Sequence, residues 1–282
     1  MRKPDFVVAG CAKCGTTFFH AALDNHPGLF MTAKKALAQF DRFPNDAAAL
    51  DKYYRNFDAA LPHQLAGEST PGYTFYPGAL ERMRDALGQI KVIILTRNPV
   101  NRALSEYWMQ VRKCRESLPL RKAMMREDPS RQNDYNFRHQ SYIQRSCYTP
   151  QISQAKQLFG SDNVLVIRAE ELKMEPVATV NQAIRFLSDD LSPLAKIEVP
   201  EKRYNKGKTI RFTTLHGALT KLHQALVNSN VLLGARAVEL VSKANFRSGG
   251  HNSLSDSDRL FIRDILLDRD PDLVKLYPEL IA

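Results

Sequence analysis

Apolar and polar positions along the chain follow two rhythms. Short runs of β-branched, aromatic or leucine residues bounded by turn formers mark strands at 6–9, 28–31, a segment ending at Glu68, 90–95 and 163–167. The run Ile90-Lys91-Val92-Ile93-Ile94-Leu95 suits a parallel strand covered on both faces. Between these runs apolar residues return at helical spacing over 16–24, 51–60, 77–87, a helix opened by Asn98-Pro99, 142–159 and 177–187. Strands alternating with helices predict an α/β fold, a three-layer arrangement with a mostly parallel central sheet flanked by helices. Beyond Thr213 the pattern is helical only, at about 213–228, 234–245 and 255–268, forming a helical C-terminal part of one domain spanning 1–282. The segment 213–245 is expected to cover a ligand or to form an oligomer contact.

Composition changes this picture little. With 44% hydrophobic and 25% charged residues, the 282-residue chain has the make-up of a soluble globular protein with ample core. Charge is more telling: 40 Lys and Arg against 30 Asp and Glu leave +10, which suits an anionic ligand. The basic residues are dispersed and lack the interleaved aromatics of an RNA-binding surface, so no nucleic-acid partner is expected. No run approaches the roughly 18 apolar residues of a membrane span, so the expectation is a cytoplasmic protein with no membrane partner. Four cysteines are too few for a disulfide framework, and Cys11-x-x-Cys14 lacks the further ligands a zinc site would need. No metal is expected, and the oligomeric state is left open.

Candidate chemistry concentrates in Val7-Val8-Ala9-Gly10-Cys11-Ala12-Lys13-Cys14-Gly15-Thr16-Thr17. An apolar strand runs into a glycine-flanked loop and then into a helix, whose first amides lack internal partners and lie at the positive end of its dipole. Anions bind at such junctions. The spacing Gly10-x4-Gly15 approaches the nucleotide-triphosphatase pattern G-x-x-x-x-G-K-S/T, but Thr16 fills the lysine position and a lysine stands earlier, at Lys13. A P-loop kinase would also place a magnesium-binding aspartate after an apolar strand, where this chain has Arg97.

The string Lys13-Cys14-Gly15-Thr16-Thr17 resembles the K-x-G-T-T loop of sulfotransferases that use 3'-phosphoadenosine 5'-phosphosulfate (PAPS). A second stretch, Arg97-Asn98-Pro99-Val100-Asn101-Arg102-Ala103-Leu104-Ser105-Glu106-Tyr107, resembles the family's R-D/N-P-x-x-R-x-x-S-x-Y/W signature. The resemblance implies a P-loop-type fold, with the 5'-phosphosulfate held by Lys13, Cys14, Gly15, Thr16 and Thr17. It also implies that Arg97 and Ser105 bind the 3'-phosphate, a guanidinium fork and a hydroxyl being suited to that task. Lys206-Gly207 resembles the late basic loop that closes over the same phosphate.

Gly67-Glu68-Ser69-Thr70-Pro71-Gly72-Tyr73 resembles the family's G-E-x-S/T-P-x-Y. At K-E-x-x-F-F the chain departs from the family: Ala36 stands where the glutamate that deprotonates the acceptor is expected, with Lys35 before it, and Gln39 and Asp41 offset from it. The candidate base is then Glu68, at a strand end, or His20, one turn into the helix after the loop. Gln39, His63, just before the Glu68 strand, and Tyr148, in a string like the family's R-S-x-Y, are candidate acceptor contacts. The implied activity is sulfuryl transfer from PAPS to a hydroxyl, ahead of an amine, of a sugar or small natural product. The alternatives are a catalytically weak 3'-phosphoadenosine-nucleotide-binding protein and a P-loop kinase.

Overall fold

The computed structural model describes residues 1–126, 135–197, 208–210, 213–229, 231–248 and 255–281. The chain packs as two compact units, Met1–Asn98 with Tyr148–Val199, and Pro99–Cys147 with Pro200–Ala282. The first unit begins β1 (Phe6–Gly10), α1 (Thr16–Asp24), β2 (Leu29–Met31), α2 (Gln39–Arg42), α3 (Ala47–Tyr54), β3 (Leu65–Ser69), α4 (Ala79–Leu87) and β4 (Lys91–Thr96). The second takes over with α5 (Pro99–Arg112), α6 (Leu120–Met125) and α7 (Tyr135–Gln140). The first resumes with α8 (Tyr148–Phe159), β5 (Val164–Arg168), α9 (Ala169–Met174) and α10 (Pro176–Leu187). The second closes with β6 (Lys208–Ile210), α11 (Thr213–Asn228), α12 (Leu232–Ser242), β7 (Phe246–Ser248), α13 (Asp256–Arg269) and α14 (Leu273–Leu276).

The first unit is built on a five-stranded sheet of order β2-β3-β1-β4-β5 in which every neighbouring pair is parallel. Strands covered on both faces carry apolar side chains on both, and all five residues of β1 and the last five of β4 are buried. From β1 the chain crosses toward the β2 edge, and from β3 it crosses back over β1 to β4. Right-handed crossovers in opposite directions place α1 and α4 on opposite faces. Accordingly α1 packs with α10 and α4 packs with α8, giving the three layers. The carboxyl ends of β1 and β4, where the chain departs in opposite directions, form the sheet's switch point, the place where such sheets bind ligands.

Departures from the sequence pattern have local causes. The helix expected at 51–60 starts earlier, because the Asp46 side chain accepts from the Ala49 amide at 2.8 Å and caps α3; it ends earlier too, tightening into a 3-10 turn at Arg55–Phe57. The helix expected at 142–159 is a 3-10 turn, Gln144–Ser146, followed by α8. In the second unit the buried Arg102 takes the Tyr142 carbonyl, an acceptor a continuous helix would use, and also donates to Ser146 Oγ at 2.6 Å. The charged stretch after α5 is ordered around Glu116, whose buried carboxylate accepts from the Ser117 and Leu118 amides, Tyr142 and Arg126. The antiparallel pair β6–β7 is not marked in the sequence pattern.

Gly67 on β3 lies directly under the Phe6 ring, where an added Cβ would stand 2.2 Å from Phe6 Cζ. Because Phe6 is itself fully enclosed, Gly67→Ala is expected to destabilise the first unit by about 1–3 kcal/mol through overpacking. Urea unfolding of the two proteins measures this, and equal midpoints would show that the ring yields.

Candidate active site

β1 ends at Gly10, and the Cys11 amide donates to the Leu95 carbonyl of β4 at 2.6 Å, so the loop leaves the sheet at the switch point. Gly10 is required by space: an added Cβ would lie 2.7 Å from Thr74 Oγ1. Cys11 and Cys14 are buried thiols, with Cys11 Sγ 3.8 Å from Thr74 Oγ1 and Cys14 Sγ 3.8 Å from the Tyr148 hydroxyl, so both serve to fix the loop on the core. Lys13 and Gly15 take left-handed backbone conformations, φ 73° and 85°. For a lysine this conformation costs about 1–2 kcal/mol, a local strain of the kind stored at binding loops. Gly15 is the N-cap of α1, which has no side-chain cap and no acidic residue in its first turn. The amino end of α1 is therefore left with positive potential and uncapped amides.

A second lysine, Lys35, to which the sequence pattern assigns no role, meets this helix end. Lys35 Nζ donates to Thr17 Oγ1 at 2.7 Å and to Thr16 Oγ1 at 3.0 Å. Burial, and then the positive charge of Lys13, bring the Lys35 ammonium down to about 8. Its loop is fixed one residue at a time. The Ala36 amide donates to the Ser69 carbonyl at 3.0 Å, Ala38 to Thr70 Oγ1 at 3.2 Å, and Gln39 to the Tyr73 hydroxyl at 3.1 Å. Ala36 and Ala38 both sit in the left-handed region, φ 59° and 58°.

Beneath that loop lies Glu68, 0% exposed. Its carboxyl accepts from Thr70 Oγ1 at 2.7 Å and from the Tyr53 hydroxyl at 3.4 Å, within a cage in which Phe40 packs at ring distances of 5.1 Å from Tyr53 and 5.3 Å from Tyr73. Burial pushes the carboxyl up to about 7, opposed by the hydrogen bonds from Thr70, Tyr73 and Tyr53. The Gly67, Glu68, Thr70 and Tyr73 pattern thus has a structural content. Gly67 admits Phe6, Glu68 holds Thr70, and Thr70 and Tyr73 hold the backbone that carries Lys35.

The remaining candidates fall in different places. His20 is half-buried on α1, three and four residues past Thr17 and Thr16 and so on their side of the helix, with Nδ1 2.9 Å from Ser69 Oγ. Burial, and then the charge of Lys35, hold its pKa below the ordinary histidine value. Arg97, half-buried at the end of β4, donates through Nη1 to the Lys13 carbonyl at 3.4 Å. Tyr148 is fully enclosed, and its hydroxyl donates to the Arg97 carbonyl at 2.8 Å, bracing the strand end rather than facing solvent. Gln39 is buried, its side-chain amide turned to the Pro44 carbonyl at 3.3 Å. His63 is exposed at the amino end of β3, the opposite end of the strand from the loop, and does not join the cluster. Ser105 is half-exposed on α5 in the second unit, and Lys206 and Gly207 lie outside the described residues. No group of three metal-ligating side chains occurs among the described residues.

A carboxyl whose folded pKa is raised binds its proton more readily in the folded state, so its contribution favours folding at low pH and is lost as pH rises. For Glu68 the window runs from the ordinary 4.5 to about 7, a difference worth about 3 kcal/mol. Glu68→Gln should therefore flatten the stability-versus-pH curve between those limits, as read by chemical denaturation at several pH values; an unchanged slope would mean the carboxyl titrates normally.

Comparison with known proteins agrees with this geometry. Residues 3–215 match the sulfotransferase domain family. The chain is 33% identical over 109 residues to the membrane-associated sulfotransferase kil1 of Dictyostelium discoideum, covering 38% of this chain and 23% of that protein. It is 24% identical over 189 residues to heparan sulfate glucosamine 3-O-sulfotransferase 5 of Mus musculus, covering 66% and 53%. It thus spans between a quarter and about half of the length of these curated relatives. The crystal structure of a sulfotransferase from Alicyclobacillus acidocaldarius superposes with a TM-score of 0.59 at 33% identity, over 71% of this chain and 88% of that one. With its P-loop-type parallel sheet and a family match over three quarters of its length, the chain belongs to the sulfotransferase domain family.

Proposed function

We propose that this protein transfers a sulfuryl group from PAPS to a hydroxyl of a sugar or small-molecule acceptor. The observation that carries the reading is the meeting of Lys13 and Lys35 at an uncapped helix end in a chain of this family. The donor set fits the nucleotide: amides, two ammonium groups and threonine hydroxyls, with no carboxylate in the loop from Gly10 to Thr17. When bound, PAPS supplies an activated sulfuryl group on a phosphate that gains negative charge as the bond to it breaks.

Lys13 and the amides of Gly15, Thr16 and Thr17 hold the 5' end and stabilise that charge. Lys35, held on two threonine hydroxyls, adds a second fixed cation without reorganising. Arg97, half-buried at the end of β4 beside the Lys13 carbonyl, serves the 3'-phosphate. Glu68 acts as a positioning residue, since its enclosed carboxyl already accepts from Thr70 and Tyr53. The proton from the acceptor falls to His20, kept neutral by burial and by Lys35. Similarity to a glucosamine 3-O-sulfotransferase supports a sugar hydroxyl as acceptor. A second reading, nucleotide binding with weak turnover, is favoured by Ala36 at the place of the family's glutamate.

Calorimetric titration with 3'-phosphoadenosine 5'-phosphate, ADP and magnesium-ATP tests the reading. The bisphosphate should bind best, and Arg97→Ala should weaken it about tenfold to a hundredfold. Magnesium-ATP binding as tightly as the bisphosphate would sink the proposal, and tight bisphosphate binding without transfer to any sugar would select the second reading. The pH dependence has a definite sign: Lys35 is cationic below about 8 and loses its charge above it, so affinity should fall as pH rises through that value. In Lys35→Arg this decline should vanish, and its persistence would assign the titration to another group.

A further inference from the structure

The second unit contains a hairpin, α11 and α12, that begins at Thr213 and lies almost wholly beyond the family match, which ends at residue 215. The two helices pack on one another, burying His216, Thr220 and His223 from α11 and Ala235, Val238 and Ser242 from α12. Their outward positions are apolar, the reverse of an ordinary surface helix. On α11, Leu215, Ala218, Leu222 and Ala225 are exposed, and on α12, Leu233, Ala237, Leu240 and Val241 are exposed, at helical spacing in both. Leu233 is 83% exposed, Leu240 62% and Val241 61%. Exposed leucines repeated at helical spacing on two paired helices mark an interaction surface rather than chance exposure.

Charge selects the partner. Lys221 and Arg236 are exposed alongside these stripes. Between residues 213 and 245 the sequence holds one acidic residue, Glu239, and its carboxylate is held by Arg115 at 2.9 Å and His223 at 3.3 Å. Among the described residues of the two helices, the charged side chains fully exposed beside the apolar positions are therefore the cations Lys221 and Arg236. A second copy docked through the same patch would bring these cations together without counter-charge. An anionic bilayer instead takes leucine side chains below its headgroups and lysine and arginine at the level of its phosphates. We propose that the α11–α12 hairpin is a contact for anionic phospholipid membranes, lying on the surface and not crossing it. At 16 and 11 residues the helices are short of the roughly 20 needed to span, and no described helix is long and apolar enough to do so. The sequence expectation of no membrane partner rested on the lack of a span, which a surface contact does not require.

Cosedimentation of the full chain with vesicles of phosphatidylcholine, or of phosphatidylcholine with about 30% phosphatidylserine, tests this. The wild type should partition onto the anionic vesicles at least about tenfold better, and added salt should release it. The pair Leu233→Glu with Leu240→Glu, at positions already in solvent, and separately Lys221→Gln with Arg236→Gln, should each lower binding about tenfold or more with unchanged far-UV circular dichroism. Equal binding to both vesicles, or binding indifferent to both pairs of substitutions, would overturn the proposal. So would a concentration-dependent dimer in sedimentation velocity that the leucine substitutions dissolve, which would give the face to a second copy.

Discussion

Two ammonium groups held at the positive end of one helix repel each other, and the first unit is organised to hold them there nonetheless. Lys13 is fixed by a strained left-handed backbone, and Lys35 is bound to the threonines that open α1. Neither α1's cap nor its first turn provides a negative charge. The cost appears in Lys35, whose proton is loosened by burial and by Lys13. A bound anion opposes both effects: it pairs with both cations, accepts from the helix amides, and raises the proton affinity of Lys35. The site is thereby preorganised for negative charge and disfavours being without it, which is what electrostatic stabilisation of a charged leaving group requires.

The restraint that makes this possible is buried. Parallel pairing sets Val7 of β1 opposite Glu68 of β3, so the strand that delivers the glycine-flanked loop and the strand that delivers the carboxyl share one register. Glu68 then works through neighbours: Thr70 is held by the carboxyl, the Ala38 amide by Thr70, and the Gln39 amide by Tyr73. A carboxyl near its titration point in an aromatic cage is a poor candidate for direct acceptor contact and a good one for fixing a loop, because each bond it makes is strengthened by the low dielectric around it.

Much of this was legible in the sequence, and the failures are informative. Strands covered on both faces produce unbroken apolar runs, so β1 and β4 could be placed to within a residue. The strand–loop–helix junction at 10–17 was legible because its glycines separate an apolar run from a helical pattern. Lys35 was not, because it lies in an irregular segment with two left-handed alanines, where no periodicity tells which side chain turns inward. Tyr148 and His63 show the limit of motif reasoning: a string fixes neither whether a ring is enclosed nor at which end of a strand a residue stands. The interruption before α8 was hidden for another reason, since it depends on Arg102, about forty residues earlier, competing for backbone acceptors, and no local window contains both partners.

The formal charge of +10 illustrates why location matters more than balance. At the loop before α1 both lysines are partly buried and Lys35 is held by threonine hydroxyls beside the helix amides, so the potential is short-ranged and suits a small anion of fixed geometry. On α11 and α12 the cations stand in solvent beside leucines, where screening within about 8 Å weakens any single pairing and only an extended anionic surface gathers enough contacts to hold. In both places the carboxylates decide the outcome by where they are held. Glu68 is drawn beneath the loop by Thr70 and Tyr53, and Glu239 is held by Arg115 and His223.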